Sequence, residues 1–297
     1  MPRLSTIIPH RGNTLALENT ILSVLENQTD DCEVILVHDG SYSDPYNLSD
    51  ELLIIEEQTD NPVTLLNVGL MAACSPTICV LTPGATLQDG SWITAVKQIN
   101  SSRGVGAVAV ETLCGSASAF GITAKATKDS SYMQRGTVDQ KRQSAVAGPS
   151  LMAGFYDRKT LLALDGWNEQ LSWENADIEM ALLLNHLGIH CELAPVQVNL
   201  DHTSNRCQTN TIVKQLAEVS VAYGVSGSGT STAMTDLLRG CLTGHISAAV
   251  AWSTGIMSAA RGVKPIQDRI ENAKHNYAQL VEQRQASLER VERRAAA

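Results

Sequence analysis

The chain has 297 residues and a formal charge of −9, with 22 Lys and Arg against 31 Asp and Glu. An acid excess of that size repels a polyanion, which excludes nucleic acid as the partner of the body. Hydrophobic residues make up 43% and charged residues 18%, an ordinary globular balance, but only 2 Phe occur, so the core must rest on Leu, Ile, Val and Ala.

Leu4-Ser5-Thr6-Ile7-Ile8-Pro9 reads as a first strand that stops at proline. His10-Arg11-Gly12-Asn13 is a loop, and Asn13 or Thr14 can cap the helix that follows, whose Leu15, Leu17, Ile21, Leu22, Val24 and Leu25 make an apolar stripe. The second strand, Cys32 to Val37, runs into His38-Asp39-Gly40-Ser41. Its unbroken apolar run predicts a strand buried on both faces, and strand, helix, strand in about 35 residues is a βαβ unit. Ligands of such sheets bind beyond the carboxyl ends of the strands, where Asp39 and Gly40 fall.

A third strand is expected at Leu52 to Ile55, a helix at Leu65 to Ala73, and a fourth strand at Thr77 to Leu81, ending in Thr82-Pro83-Gly84. A helix from Ser91 to Ile99 and a fifth strand from Val105 to Val110 follow. Residues 112–147 are small and polar without a sustained period, which predicts a loop or insertion. Order returns at Ser150 to Tyr156, a short helix spans Lys159 to Leu164, and Asp165-Gly166-Trp167-Asn168-Glu169 makes a turn. A helix from Ala176 stops at Gly188, and Cys191 to Leu200 is a strand ending at Asp201-His202.

Residues 209–262 are helical in pattern but rich in Gly, Ser, Thr and Ala, and beyond Pro265 the pattern becomes that of a long amphipathic helix with a mixed-charge face. The expected organisation is therefore 1–208 as the α/β body, 209–262 as a small-residue helical segment and 263–297 as a C-terminal helix. That helix can pack on its own domain, join a second copy of the chain, or lie on a membrane surface through its basic residues. No stretch offers the roughly 18 uncharged apolar residues that a membrane span needs. Seven scattered Cys without a Cys-x-x-Cys pair read as free thiols of a reducing compartment, so a cytoplasmic location is expected.

In this order the pieces resemble the family 2 glycosyltransferases, whose sugar-nucleotide fold is called GT-A. The resemblance lies in Ser5 to Pro9, Ser23-Val24-Leu25-Glu26-Asn27-Gln28, Val34 to Ser41, and Asn67-Val68-Gly69 with Ala72-Ala73. It continues in Ile78 to Leu87, Asp165 to Glu169, Glu174 to Asp177 and His202, and covers residues 3–205. It implies a three-layer α/β/α body with a mixed, mostly parallel sheet, followed here by C-terminal helices. It also implies a nucleotide-diphosphate sugar as donor, a glycan or other hydroxyl as acceptor, and Mn²⁺ or Mg²⁺ where the metal site is intact. By the same resemblance Pro9, Arg11, Asp39, Gly40 and Thr82 would contact the nucleotide, Glu174 and Asp177 are the candidate catalytic acids, and His202 is the candidate metal ligand.

Three departures bear on the chemistry. Where the family carries Asp-x-Asp for the metal, the chain reads Thr82-Pro83-Gly84-Ala85, with no carboxylate before Asp89. Where the family carries the acceptor base, the chain has Asn175 between Glu174 and Ala176, and an amide accepts no proton. His38 stands where the first acid of an Asp-Asp-Gly-Ser run is common. A lone His202 holds a hard cation poorly and reads better as a hydrogen-bonded structural histidine, and Glu174 and Asp177 also read as helix N-terminal acids favoured by the helix dipole.

Three readings remain open at this stage. One is a metal-free transferase that sets Arg11, Arg135, Lys141 or Arg142 against the diphosphate. Lys125 and Lys128 belong to the same basic segment. The second is a degenerate transferase kept as a binding or scaffolding subunit. The third is another enzyme class on a doubly wound sheet, for which no G-x-G-x-x-G, P-loop or G-x-S-x-G stands where it should.

Overall fold

The computed structural model describes residues 3–12, 14–27, 31–87, 92–101, 104–115, 117–126, 131–135, 146–201, 210–224 and 246–295. Strands β1 (Leu4–His10), β2 (Cys32–His38), β3 (Leu53–Glu56) and β4 (Thr77–Leu81) are parallel, in the order β3-β2-β1-β4. The sheet continues with β11 (Ala153–Asp157), antiparallel to both β4 and β6 (Val105–Cys114), then with β12 (His190–Leu200), parallel to β6, and β5 (Ala85–Leu87) at the edge. This is the mixed, mostly parallel α/β sheet that the resemblance implied, with the apolar runs as its buried strands.

Helices cover both faces, which is why the central strands carry no alternation. Ile7, Ile35, Val37, Ile78 and Val80 face one core, shared with α2 (Pro62–Ala72), α4 (Arg158–Ala163) and α5 (Trp173–His186). Ile8, Val34, Leu36, Cys79 and Leu81 face the other, shared with α1 (Thr14–Asn27) and α3 (Trp92–Ser101). Asn61 caps α2 by accepting from the Val63 N–H at 3.0 Å, with Pro62 at the first helical position.

The stretch 112–147 departs from the expected loop. Strand β6 runs on to Cys114, β7 (Ala117–Phe120) folds back on it, and β8 (Ile122–Ala126) pairs with β9 (Ser131–Arg135) and β10 (Val146–Gly148) as a second, three-stranded sheet. Backbone pairing makes these strands. Their Ala, Ser, Thr and Gly side chains give almost no hydrophobic period, so residue pattern alone underestimated them. Lys125 and Arg135 lie on β8 and β9, whereas Lys128, Lys141 and Arg142 fall outside the described residues.

The C-terminal part also differs from the expected division of elements. Helix α6 (Asn210–Ala222) packs along one helix, α7 (Ile246–Ala295), which begins well before 263 and contains Pro265 rather than starting beside it. Val219 of α6 and Ile266, Ile270 and Ala273 of α7 are buried in the first core. Among the described residues no helix is long and apolar enough to cross a membrane. Cys74, Cys79, Cys114 and Cys191 are free thiols, and Cys207 and Cys241 lie outside the described residues.

Helix α2 packs closely on the sheet at Gly69. A Cβ there would come within 2.4 Å of Ile7 Cγ2 and 3.3 Å of Val37 Cγ2. Gly69→Ala is expected to lower unfolding stability by about 1–3 kcal/mol in urea titration; an unchanged midpoint would mean that α2 does not pack this closely.

Candidate functional site

The site begins where β1 and β2 end side by side, with His10 in register opposite His38. The two following loops are tied together: the Gly12 N–H donates to Ser41 Oγ at 3.1 Å, and the Ser41 N–H donates to Asp39 Oδ1 at 3.1 Å. Hydrogen bonding from Ser41 is the main cause that holds the Asp39 carboxyl below its ordinary value. The Gly40 N–H donates to His38 Nδ1 at 3.1 Å, so the neutral His38 ring carries its proton on Nε2.

Arg11 leans across this loop pair. Its Nε is 3.9 Å from Asp39 Oδ2, its Nη2 is 3.6 Å from Asp60 Oδ1, and its Nη1 donates to the Asp60 carbonyl at 2.8 Å. The guanidinium thus stands between two acids and remains half exposed, so it keeps donor capacity for an incoming anion.

Beneath the loops, on the α1 side, lie His10, His38 and Tyr42. His38 and Tyr42 meet edge to face at 5.9 Å between ring centroids, and His10 and Tyr42 at 6.4 Å. His10 is fully buried, and neither ring nitrogen has a hydrogen-bond partner among the described residues. Burial is the largest cause lowering its pKa and keeps the ring neutral. The sequence reading put His10 in a loop; Pro9 hid the fact that the strand runs one residue past it.

A cleft of about 480 Å³ opens beside Arg11, lined also by Asp60, Asn61, Ser172, Trp173 and Glu174. The N-termini of α2 and α5 both reach it. Arg11 and Glu174 therefore share one cleft, and Arg11 links that cleft to Asp39. Asp177 sits elsewhere: it is fully buried, and its Oδ2 accepts from Ser150 Oγ and from the Leu151 N–H, each at 3.3 Å. Asn175 is also buried, its amide donating to the Ile212 carbonyl at 2.8 Å and to Gln215 Oε1 at 3.3 Å.

The turn after β4 carries no acid. The Thr82 N–H donates to the Met152 carbonyl at 3.0 Å, and the Gly84 N–H donates to the Ala16 carbonyl at 2.9 Å and to Thr20 Oγ1 at 2.8 Å, so the turn is packed on α1. Asp201, at the end of β12, comes to the same place: its N–H donates to the Gly84 carbonyl at 3.0 Å and its Oδ2 accepts from Asn19 at 3.1 Å. Sequence reasoning passed over it because it comes from the far end of the sheet. His202 lies outside the described residues. Among the described residues no group of three or more His, Cys, Asp or Glu is arranged to hold a metal, and the donor set at this turn does not fit a hard divalent cation.

A larger cleft, about 690 Å³, lies behind the Asp165–Glu169 turn against α7, lined by Asn67, Asp165, Glu169, Asp268, Arg269 and Asn272 among others. None of the expected site residues among the described residues lines it.

No known family model matches the chain, and no curated protein matches it. Solved structures similar to it include GalNAc-T7 with UDP, GalNAc and Mn²⁺, at a TM-score of 0.58 and 14% identity, covering 74% of this chain and 48% of that one. The chain thus spans about half the length of that protein. A mannosyltransferase, PcManGT from Pyrobaculum calidifontis, in complex with GDP-Man and Mn²⁺, matches at a TM-score of 0.55 and 14% identity over 94% of this chain and 86% of its own. At that identity the likeness shows the fold, and the fold is that of the GT-A glycosyltransferases.

The buried His10 gives the site a measurable pH signature. Its folded pKa lies below the ordinary 6.5, so the stability that depends on it is complete above about pH 6.5 and is lost as pH falls through the depressed value. Asp39 acts in the same direction lower down, below its ordinary 3.8. His10→Phe is expected to flatten the decline in melting temperature between about pH 7 and 5; an unaltered decline would show that His10 is not its source.

Proposed function

We propose that the chain binds a nucleotide-diphosphate sugar and transfers its sugar to a hydroxyl of a glycan or other acceptor, in the manner of family 2 glycosyltransferases. The observation that carries this reading is the shared cleft of Arg11 and Glu174, joined through Arg11 to Asp39 at the ends of β1 and β2. The fold supports it, because its solved neighbours hold UDP with GalNAc and GDP-Man.

In this reading the Pro9–Gly12 and Asp39–Ser41 loops receive the nucleoside, and Asp39, kept ionised by Ser41, accepts from ribose or base N–H and O–H groups. Thr82 closes the same end of the sheet. Arg11 faces the diphosphate and stabilises the charge that collects on it as the anomeric C–O bond breaks. Glu174 takes the proton of the acceptor hydroxyl as its oxygen forms the new bond to the anomeric carbon. Asp177 braces the Ser150–Leu151 backbone behind the site. No step passes through a metal, since the residues at Thr82–Ala85 do not supply one with ligands.

The second reading, a degenerate transferase acting as a binding subunit, is favoured by that acid-free turn and shares the nucleotide pocket but not the turnover. Calorimetry with UDP, GDP and TDP, with and without Mn²⁺, tests the pocket that both require. The expected result is binding that Mn²⁺ does not tighten, weakened about tenfold or more by Arg11→Ala. Absence of nucleotide binding, or binding that requires Mn²⁺, would overturn the proposal. Acceptor-dependent release of the nucleoside diphosphate on mixing donor and acceptor then separates the two readings.

A further inference from the structure

The segment that brings Glu174 to the cleft is fastened from behind by residues far along the chain. Gln215 of α6 uses both ends of its amide. Its Oε1 accepts from the Ser172 N–H at 3.0 Å and from Asn175 Nδ2 at 3.3 Å, while its Nε2 donates to the Gln170 carbonyl at 3.1 Å. Backbone groups fix this orientation, because an N–H only donates and a carbonyl only accepts. The same logic fixes Asn175, whose nitrogen must meet the Ile212 carbonyl. Two hydrogens on Asn175 Nδ2 therefore meet two acceptor oxygens, both on α6.

Helix α7 holds the other end of the segment. Arg269 donates through Nη2 to the Gly166 carbonyl at 2.6 Å and through Nη1 to the Asp165 carbonyl at 3.4 Å, while its Nε pairs at 3.2 Å with the fully buried Glu179 of α5. Tyr223, the residue after α6, donates to the same Glu179 oxygen at 2.7 Å. The stretch 165–175 is thus pinned at both ends by the helices that follow the α/β body.

We propose that Gln215 is a positioning residue for the site, and that Asn175 is its fastening point in place of a lost base: together they hold Ser172 to Glu174 so that Glu174 faces Arg11 across the cleft. This rests on the reading of Glu174 as the acceptor base. It gives the amide at position 175 a physical reason. A carboxylate there would replace the Nδ2 donor by an oxygen facing the Ile212 carbonyl and Gln215 Oε1, so that both contacts would set oxygen against oxygen. It also makes the C-terminal helices part of the site.

The test uses the full chain with Gln215→Ala, Gln215→Glu and Asn175→Asp, read by hydrogen exchange, nucleotide calorimetry and turnover. Gln215→Ala is expected to speed exchange of the 171–175 amides about tenfold or more, the loss of roughly one buried hydrogen bond to the backbone, while β1 to β4 keep their protection. UDP or GDP affinity should stay within about threefold, and turnover should fall about tenfold or more through kcat. Gln215→Glu, which keeps the acceptor for the Ser172 N–H but sets an oxygen against the Gln170 carbonyl, should protect the Ser172 N–H more than Gln215→Ala does and less than the parent. Asn175→Asp should melt about 4 °C or more lower and gain no turnover. Unchanged exchange at 171–175 in Gln215→Ala would overturn the proposal, as would an Asn175→Asp protein that melts like the parent and turns over faster. If the parent binds no nucleotide, the proposed function fails, and the exchange results still decide the positioning role by themselves.

Discussion

The Asp165–Glu169 turn is gripped from two sides, and the cleft depends on both grips. From α2, Asn67 accepts the Trp167 N–H at 2.9 Å and donates to the Trp167 carbonyl and to Glu169 Oε1, each at 2.8 Å, while Thr64 donates to Glu169 Oε2 at 3.0 Å. From α7, Arg269 takes the Asp165 and Gly166 carbonyls. Gly166 permits the approach: its φ is +61°, and a Cβ would sit 2.4 Å from Asn67 Oδ1. Glu179 shows why the α7 grip matters energetically, since a buried carboxylate without its Arg costs several kcal/mol. Local turn chemistry, a helix of the βαβ body and a helix after it thus converge on five residues, and the chain leaving them carries Glu174.

The electrostatics of the site follow from the ends of two strands. Parallel β1 and β2 deliver their following loops to the same edge, so Arg11 and Asp39 meet without either being buried deeply enough to need exact compensation. One residue earlier, on the opposite face, His10 is shut away among Tyr42 and His38. The same pair of strands therefore presents a charged, exposed surface at its loops and a buried, aromatic one to α1. Asp177 and Glu174 illustrate the same sorting along α5: three positions apart, one braces the core and the other lines the cleft.

Much of the body was legible because burial on both sheet faces leaves unbroken apolar runs, as at Ile7-Ile8, Val34 to Val37 and Ile78 to Leu81. Helices with an apolar stripe were legible in part: in α1 Leu17, Ile21 and Val24 are buried, but Leu15 and Leu22 of the expected stripe are exposed, and Thr20 and Ser23 are buried in hydrogen bonds instead. The strands between Thr112 and Gly148 were not legible, because Ala, Ser and Thr let the backbone pair without leaving a hydrophobic period. Pro265 suggested a boundary, yet α7 runs through it, held by Ile266, Ile270 and Ala273 in the core. In the site, Asp39 and Arg11 stood out by their place after a strand. Asn175 looked like a lost base because its partners, Ile212 and Gln215, lie nearly forty residues on in a helix whose small residues give little signal. The resemblance gave the order of the pieces, but contacts between distant segments decided what Asn175, Asp177 and His10 do.

The most direct test of the central claim is a crystal structure of the full chain with UDP or GDP bound. A diphosphate within hydrogen-bond reach of Arg11 and a nucleoside against Asp39 is the result expected. A nucleotide seated in the cleft between α2 and α7 behind the Asp165–Glu169 turn, or no bound nucleotide at saturating concentration, would contradict it.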